Sequence, residues 1–285
     1  MKPRVYLLLP RLSYSEREGD IAVYVTASND KVDLTAVDKT SSLLANGFNQ
    51  GLCECVNAGN FDWFGILHAD LVPKTDNWLD VLVEEATRGD YDVIHAVAAI
   101  KDGRGLTSTA VGNRLDPWDD RRRLTMTDLE GLPPTFGIDD VLRLWNGQRY
   151  PRNPCLLPNT GCMLMRINTA ERLAYSGGFT IEDRITRTGI PPAGYLVPEV
   201  VPEDWGFGYW CANHVDRLDS SKSCIRIAAT RAVKTDHIGV ARYSNYRTWG
   251  DARDENYFRD ERGVSKGGNG DGKLSEVVDG VVVVS

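Results

Sequence analysis

The apolar run Trp63–Leu67 leads directly into His68-Ala69-Asp70. A carboxylate and an imidazole thus flank one small residue at the end of a segment with the character of a buried strand. A diphosphate needs a cation to neutralise its charge. Mg2+ and Mn2+ prefer hard oxygen ligands, take one or two protein carboxylates and keep several waters. Asp70 suits that role, and Ala69 leaves room for a nucleotide to approach. A second acidic group, Glu203-Asp204, follows Pro202 at a helix start, and His237 sits beside Asp236 in Thr235-Asp236-His237-Ile238-Gly239.

The elements that must position these groups alternate over the first hundred residues. Val5–Leu9 is an apolar run ending at Pro10, and Ile21–Thr26 is β-branched and ends in the turn cluster Ala27-Ser28-Asn29-Asp30. Leu43, Leu44, Phe48, Leu52 and Val56 recur at helical spacing before Gly59. Trp78, Leu79, Leu82, Val83 and Ala86 do so again before Gly89, and Val93–Ala98 is a further strand. This alternation predicts an α/β fold, a mostly parallel sheet flanked by helices. Ligands of such sheets lie beyond the carboxyl ends of the strands, where Pro10, Asp30 and Asp70 fall. Residues 101–158 are rich in Gly, Pro, Asp and Arg. They read as a loop-rich excursion over the ligand edge, with one short helix near Ile138–Trp145 and the character of a mobile lid. Regular structure resumes with a strand over Cys162–Ile167, a helix from Asn168 to Tyr175 ended by Gly177-Gly178, a helix from Pro202 to Asn213, and late strands at Ile225–Ala228 and Ala232–Lys234. From Asp251 the chain is polar and Gly-rich up to Val281–Val284.

In order along the chain, Ala45–Leu52 (ANGFNQGL), Phe64–Asp70 (FGILHAD), Pro73–Leu79 (PKTDNWL), Asn159–Arg166 (NTGCMLMR) with Gly177–Phe179, Pro202–Phe207 (PEDWGF) and Thr235–Gly239 (TDHIG) resemble the motifs of GT-A glycosyltransferases of the family 2 type. The resemblance implies a Rossmann-like GT-A domain over residues 1–250, with a nucleotide-binding half (1–100), the excursion (101–158), a donor-sugar and acceptor half (159–250), and a C-terminal tail (251–285). It implies a metal-dependent transferase acting on a UDP- or GDP-linked sugar. Asp70 and His237 would hold Mn2+ or Mg2+. His68 stands where the family usually has Asp, and Asp236 is an alternative ligand or the group orienting His237. Asp204 would be the base that takes the acceptor hydroxyl's proton, with Glu203 second. Pro10, Arg11 and Asp30 match the nucleotide-base pocket. Asn49, His68, Ala69, Thr160 and Gly161 match the donor site, and Trp205 offers a face to a sugar. Lys39, Arg11 and Arg121–Arg123 are candidate phosphate partners.

Each residue has a plainer role open to it. Asp70 and Asp30 suit turns, His68 a backbone hydrogen bond, Trp205 and Trp210 core packing, and the arginine run a solvated loop. His95, inside an apolar strand, and His214, near a helix end, read as structural. The sequence has 285 residues, 42% hydrophobic and 26% charged, with a net charge of −7. These values exclude disorder and coiled coil, and acidity disfavours a nucleic-acid acceptor. No run of about 18 apolar residues marks a membrane span. The six cysteines include no C-x-x-C pair, as expected of reduced thiols in a cytoplasmic protein. Two other classes remain open: a non-catalytic sugar-nucleotide-binding protein derived from the fold, and a sugar nucleotidyltransferase. The latter lacks its Gly-rich amino-terminal loop at Leu9–Ser13.

Overall fold

The computed structural model describes residues 1–11, 29–101, 103–119, 121–146, 148, 150–188, 195–214, 223–238 and 242–245. The strand expected over Ile21–Thr26 and the tail from Asp251 lie outside them. The strands in chain order are β1 (Arg4–Arg11), β2 (Asp33–Thr40), β3 (Trp63–Leu67), β4 (Leu71–Pro73), β5 (Val93–Ala96), β6 (Leu106–Asn113), β7 (Arg122–Thr125), β8 (Thr135–Phe136), β9 (Pro154–Leu157), β10 (Cys162–Arg166), β11 (Glu182–Thr188), β12 (Tyr195–Val201), β13 (Ile227–Thr230), β14 (Thr235–Ile238) and β15 (Arg242–Ser244). The helices are α1 (Leu44–Ala58), α2 (Trp78–Gly89), α3 (Met126–Gly131), α4 (Ile138–Leu144), α5 (Ile167–Tyr175) and α6 (Glu203–Asn213).

Among the described residues, seven strands form the central sheet in the order β2-β1-β3-β10-β5-β13-β8. The pairings set β2, β1, β3, β5 and β13 in one direction and β10 and β8 in the other. The fold is therefore mixed α/β with a mostly parallel sheet flanked by helices, an arrangement compatible with a Rossmann-like domain. Strands buried on both faces read as continuous apolar runs, and β3 (WFGIL) is buried throughout. Successive side chains of a strand point to opposite faces. Accordingly Val5, Leu7 and Leu9 of β1 join α2 residues Leu79, Leu82 and Val83 in one core. Tyr6 and Leu8 join Phe48 and Leu52 of α1, Leu173 of α5 and Phe207 of α6 in another. β2, missed in the sequence, is a half-exposed edge strand whose apolar content is slight.

The excursion expected over 101–158 is instead built structure. It contains β6, β7, α3, β8, α4 and β9, with β6 paired antiparallel to both β7 and β9. It has its own core, in which Val111, Leu124, Phe136, Val141, Trp145 and Leu156 are all at most 3% exposed. Two of its charged residues, Asp128 and Arg122, are built into that core. The Thr125 hydroxyl accepts from Asp128 N at 3.0 Å, and the Asp128 carboxylate accepts from Thr125 N at 2.9 Å, so the pair caps α3 reciprocally. Asp128 also accepts from Trp145 Nε1 at 2.7 Å. The Arg122 guanidinium lies 3.9 Å from the Trp145 ring centroid. A mobile lid over the whole segment does not agree with this packing.

Two smaller sheets complete the described structure. β11 pairs antiparallel with β12, and β4 pairs antiparallel with β14, which also pairs with β15. The β4–β14 register sets Leu71 opposite His237 and Val72 opposite Asp236.

Trp145 makes the excursion's core testable. Replacing it by Ala removes a large buried ring and leaves Asp128 buried without that donor. We expect Trp145→Ala to lower unfolding free energy by about 3–5 kcal/mol in urea titrations. A loss under about 1 kcal/mol would mean that this segment is not packed as described.

Candidate functional site

The site is assembled where two backbone ladders meet. β3 of the central sheet ends at Leu67, the chain turns through His68-Ala69-Asp70, and β4 leaves into the small sheet. The turn is closed by Leu71 N donating to His68 O at 3.1 Å. Ile238 N donates to Asp70 O at 2.7 Å, extending the β4–β14 ladder to Asp70 itself. The strand pairing thus carries His237 to Asp70: His237 Nε2 lies 3.5 Å from Asp70 Oδ2. Lys101, just beyond β5, makes an ion pair with the same carboxylate oxygen.

His237 is held by its other nitrogen. Nδ1 is 2.7 Å from the Ala99 carbonyl oxygen. A carbonyl only accepts, so Nδ1 donates and a neutral ring has its lone pair on Nε2, the side facing Asp70. This is the support that a ligating histidine usually has. Asn245 anchors the strand behind it. Its Nδ2 donates to Val97 O at 2.8 Å and Val233 O at 3.1 Å, while its Oδ1 accepts from Thr235 N at 2.9 Å. Asp236 is buried, with Lys74 Nζ at 3.7 Å from its carboxylate.

Burial opposes ionisation of Asp70, but the neighbouring His237 and the Lys101 ammonium outweigh it, and the carboxyl is held well below its usual range. Burial lowers His68 to about 4, against the pull of Asp70. His68 Nε2 lies 3.3 Å from Thr160 Oγ1, and His68 N donates to Gly161 O at 2.8 Å. The Asn159-Thr160-Gly161 turn therefore abuts the end of β3. Asn159 fixes it, donating from Nδ2 to Ala96 O at 3.0 Å and accepting from Gly161 N at 3.2 Å.

The sequence-predicted residues divide accordingly. His68, Ala69, Asp70, Thr160, Gly161 and His237 come together. Pro10 is buried next to the last residue of β1, two residues past Leu8, which pairs with Ile66, and so reaches the level of His68. Arg11 ends the same strand, but its side chain is not among the described groups. Asp30 is exposed and leads into β2, whose first residue pairs with Arg4 at the start of β1. It does not close a strand at the ligand edge in the described residues. Lys39 is paired with Glu54.

Asn49 uses both ends of its amide on one residue: Nδ2 donates to Phe179 O at 2.9 Å and Oδ1 accepts from Phe179 N at 2.7 Å. Gly178, at φ +77, must be glycine to pass it, since a Cβ would stand 2.2 Å from Asn49 Oδ1. Trp205 requires a correction. It is 2% exposed, its Nε1 reaches Ser108 O at 3.4 Å, and the guanidiniums of Arg121 and Arg123 lie 4.7 and 4.6 Å from its ring centroid. Its ring is core packing under arginines and has no face for a sugar. The same contacts correct the solvated-loop reading of Arg121–Arg123.

Glu203 and Asp204 open α6, as expected. Glu203 is buried and burial raises its pKa. Asp204 is half-buried, and its Oδ1 accepts from Trp205 N at 2.7 Å. A row of rings joins this helix to the turn at Asp70: His68–Phe48 at 5.5 Å, Phe48–Phe179 at 5.3 Å and Phe179–Phe207 at 5.3 Å between centroids.

Among the described residues, no group of three or more His, Cys, Asp and Glu side chains is placed to hold a metal ion. Asp70 and His237 are two. One carboxylate oxygen and one imidazole nitrogen at 3.5 Å fit a cation that completes its shell with water and phosphate oxygens. Lys101 is the residue that sequence reasoning missed: it carries no motif and reaches Asp70 only through the fold.

No family model matches the chain, and no curated protein sequence does. Among solved structures, the crystal structure of A197 from STIV aligns over 83% of this chain and 86% of that one, at 15% identity and a TM-score of 0.43. No helix among the described residues is long and apolar enough to cross a membrane.

His95 gives a pH test of the scaffold behind the site. It is 0% exposed, lies 3.0 Å from Asn159 Nδ2, and burial lowers it from 6.5 to about 4. As pH falls from 6.5, the unfolded chain takes up a proton that the folded one refuses. The stability is full above that pH and falls toward pH 4, by about 1.4 kcal/mol per pH unit for each such group. His68 has the same sign. Unfolding free energy measured from pH 6 to 4.5 should therefore decline, with a shallower slope in His95→Gln. Equal slopes would show that His95 titrates alike in both states.

Proposed function

We propose that the chain binds a nucleoside-diphosphate sugar with a divalent cation and transfers the sugar to an acceptor hydroxyl. The observation that supports this reading best is the convergence of the Asp70 carboxylate, the His237 Nε2 and the Lys101 ammonium at the carboxyl end of β3. Doubly wound sheets take nucleotides at that edge. The motif order in the sequence points the same way. Bound there, Mn2+ or Mg2+ would neutralise the diphosphate and ease its departure as a leaving group. Asp70 and His237 would hold it.

The remaining roles belong to the chain itself. Pro10, at the end of β1, borders the place for the base. Thr160 and Gly161 border the place for the donor sugar, and Ala69 leaves space between. Asp204 takes the proton of the acceptor hydroxyl. It is the more accessible of the acidic pair, and its carboxylate is fixed by the Trp205 amide. Glu203, buried with a raised pKa, stays behind it. Asn49 and Phe179 hold the loop between α5 and β11 against α1, and so set the floor beneath α6.

Calorimetric titration with UDP and with GDP, each with Mn2+, tests the binding reading. The wild type should bind one of them only when Mn2+ is present, and Asp70→Ala should lose that binding. Metal-independent binding that survives Asp70→Ala would refute the site.

Catalysis is tested separately, by release of UDP or GDP from the corresponding hexose conjugate with water as acceptor. Asp204→Asn should slow turnover by about 10² to 10⁴ with nucleotide affinity kept within about threefold. Glu203→Gln should lose less. If Asp204→Asn turns over at the wild-type rate, proton transfer lies elsewhere. If nucleotide affinity collapses instead, Asp204 belongs to the donor site.

A further inference from the structure

Lys101 and His237 converge on one atom. Lys101 Nζ is ion-paired with Asp70 Oδ2, and His237 Nε2 stands 3.5 Å from that same oxygen. A cation seated between His237 Nε2 and that oxygen therefore competes with the ammonium for it. Two positive groups on one carboxylate oxygen repel each other at contact range. The lysine has somewhere to go: its side chain is 37% exposed and Asp70's is 41% exposed. The His237 ring, by contrast, is fastened through Nδ1 to Ala99 O at 2.7 Å. The imidazole is the fixed member of the trio and the ammonium the movable one.

We infer that Lys101 is a diphosphate-binding residue held on Asp70 as an internal counter-ion, which a divalent cation displaces onto a phosphate oxygen. This rests on the nucleotide reading given above and adds a coupling to it. Metal binding alone releases an ammonium with no anion to meet. Metal binding together with a diphosphate releases it onto one. The metal and the diphosphate therefore raise each other's affinity by an equal factor, as linkage requires, and Lys101 carries part of that factor. A lysine serves this purpose better than an arginine, because its compact charge sits on a flexible stem and gives up one partner for another without a fixed fork to realign.

The test is calorimetric and uses Mn2+ alone, UDP or GDP alone, and each nucleotide with Mn2+. It compares the wild type, Lys101→Met, which keeps an unbranched stem, and Lys101→Gln, which keeps a polar end. Thermal unfolding confirms that both variants fold. Both should bind Mn2+ alone about five- to tenfold more tightly than the wild type, since the competing ammonium is gone. Both should bind the nucleotide in saturating Mn2+ about five- to tenfold more weakly. Mn2+ affinity that is unchanged or weaker in both variants overturns the inference. Nucleotide binding that needs Mn2+ and Asp70 but is indifferent to Lys101 also overturns it and leaves the proposed site standing. A wild type that binds neither Mn2+ nor either nucleotide overturns both.

Discussion

The antiparallel pairing of β4 with β14 is only three residue pairs long, yet the geometry of the candidate site hangs on it. It joins Leu71–Pro73, directly after Asp70, to Thr235–His237. Without that register, Asp70 would end a buried strand as an ordinary turn residue, and His237 would be remote from it. The pairing is secured from behind by Asn245 and by Thr235 Oγ1, which donates to Val97 O at 3.2 Å. These bonds tie the small sheet to the segment leaving β5, the same segment that supplies Ala99 to His237 and Lys101 to Asp70. One set of backbone and amide hydrogen bonds thus fixes a carboxylate, an imidazole and an ammonium relative to one another.

The electrostatics follow from that arrangement. A half-exposed carboxylate with a histidine and a lysine on one side of it stays ionised across the physiological range. The neutral state of His68 keeps a further positive charge away. The neighbouring Asn159–Gly161 turn contributes hydroxyl and backbone groups without adding net charge. Beside this charged centre, rings from α1, the loop after α5, and α6 are in contact in series. That row is a packed route by which α6 is placed relative to Asp70.

Much of this was legible in the sequence. β1, α1, β3, α2, β5 and β10 each carry a period or a continuous apolar run that matches their burial, while α5 and α6 showed through their start and stop residues. The motif FGILHAD pointed to this turn because it sets an imidazole and a carboxylate directly after five buried residues. Other parts were hidden for physical reasons. The 101–158 segment looked solvated because its arginines are counted as charge, whereas Arg122 covers Trp145 and Arg121 and Arg123 cover Trp205. A guanidinium over an indole packs like an apolar group. β2 is an edge strand whose side chains alternate between exposed and half-buried, so its hydrophobic signal is faint. β14 begins later than the sequence implied, which places His237 within a strand instead of in a turn. Lys101 had no local signal, since its role exists only through long-range pairing. Trp205 looked available to a sugar because residue type alone does not report what lies over a ring.

Asp70 and His237 are proposed to bind together the cation that accompanies a nucleoside diphosphate. Crystals grown with Mn2+ and UDP or GDP, measured at the manganese absorption edge, test it most directly. The account predicts one anomalous peak in contact with the Asp70 carboxylate and His237 Nε2, with diphosphate oxygens completing its shell. A nucleotide bound without any such peak, or manganese held by other residues, would contradict it.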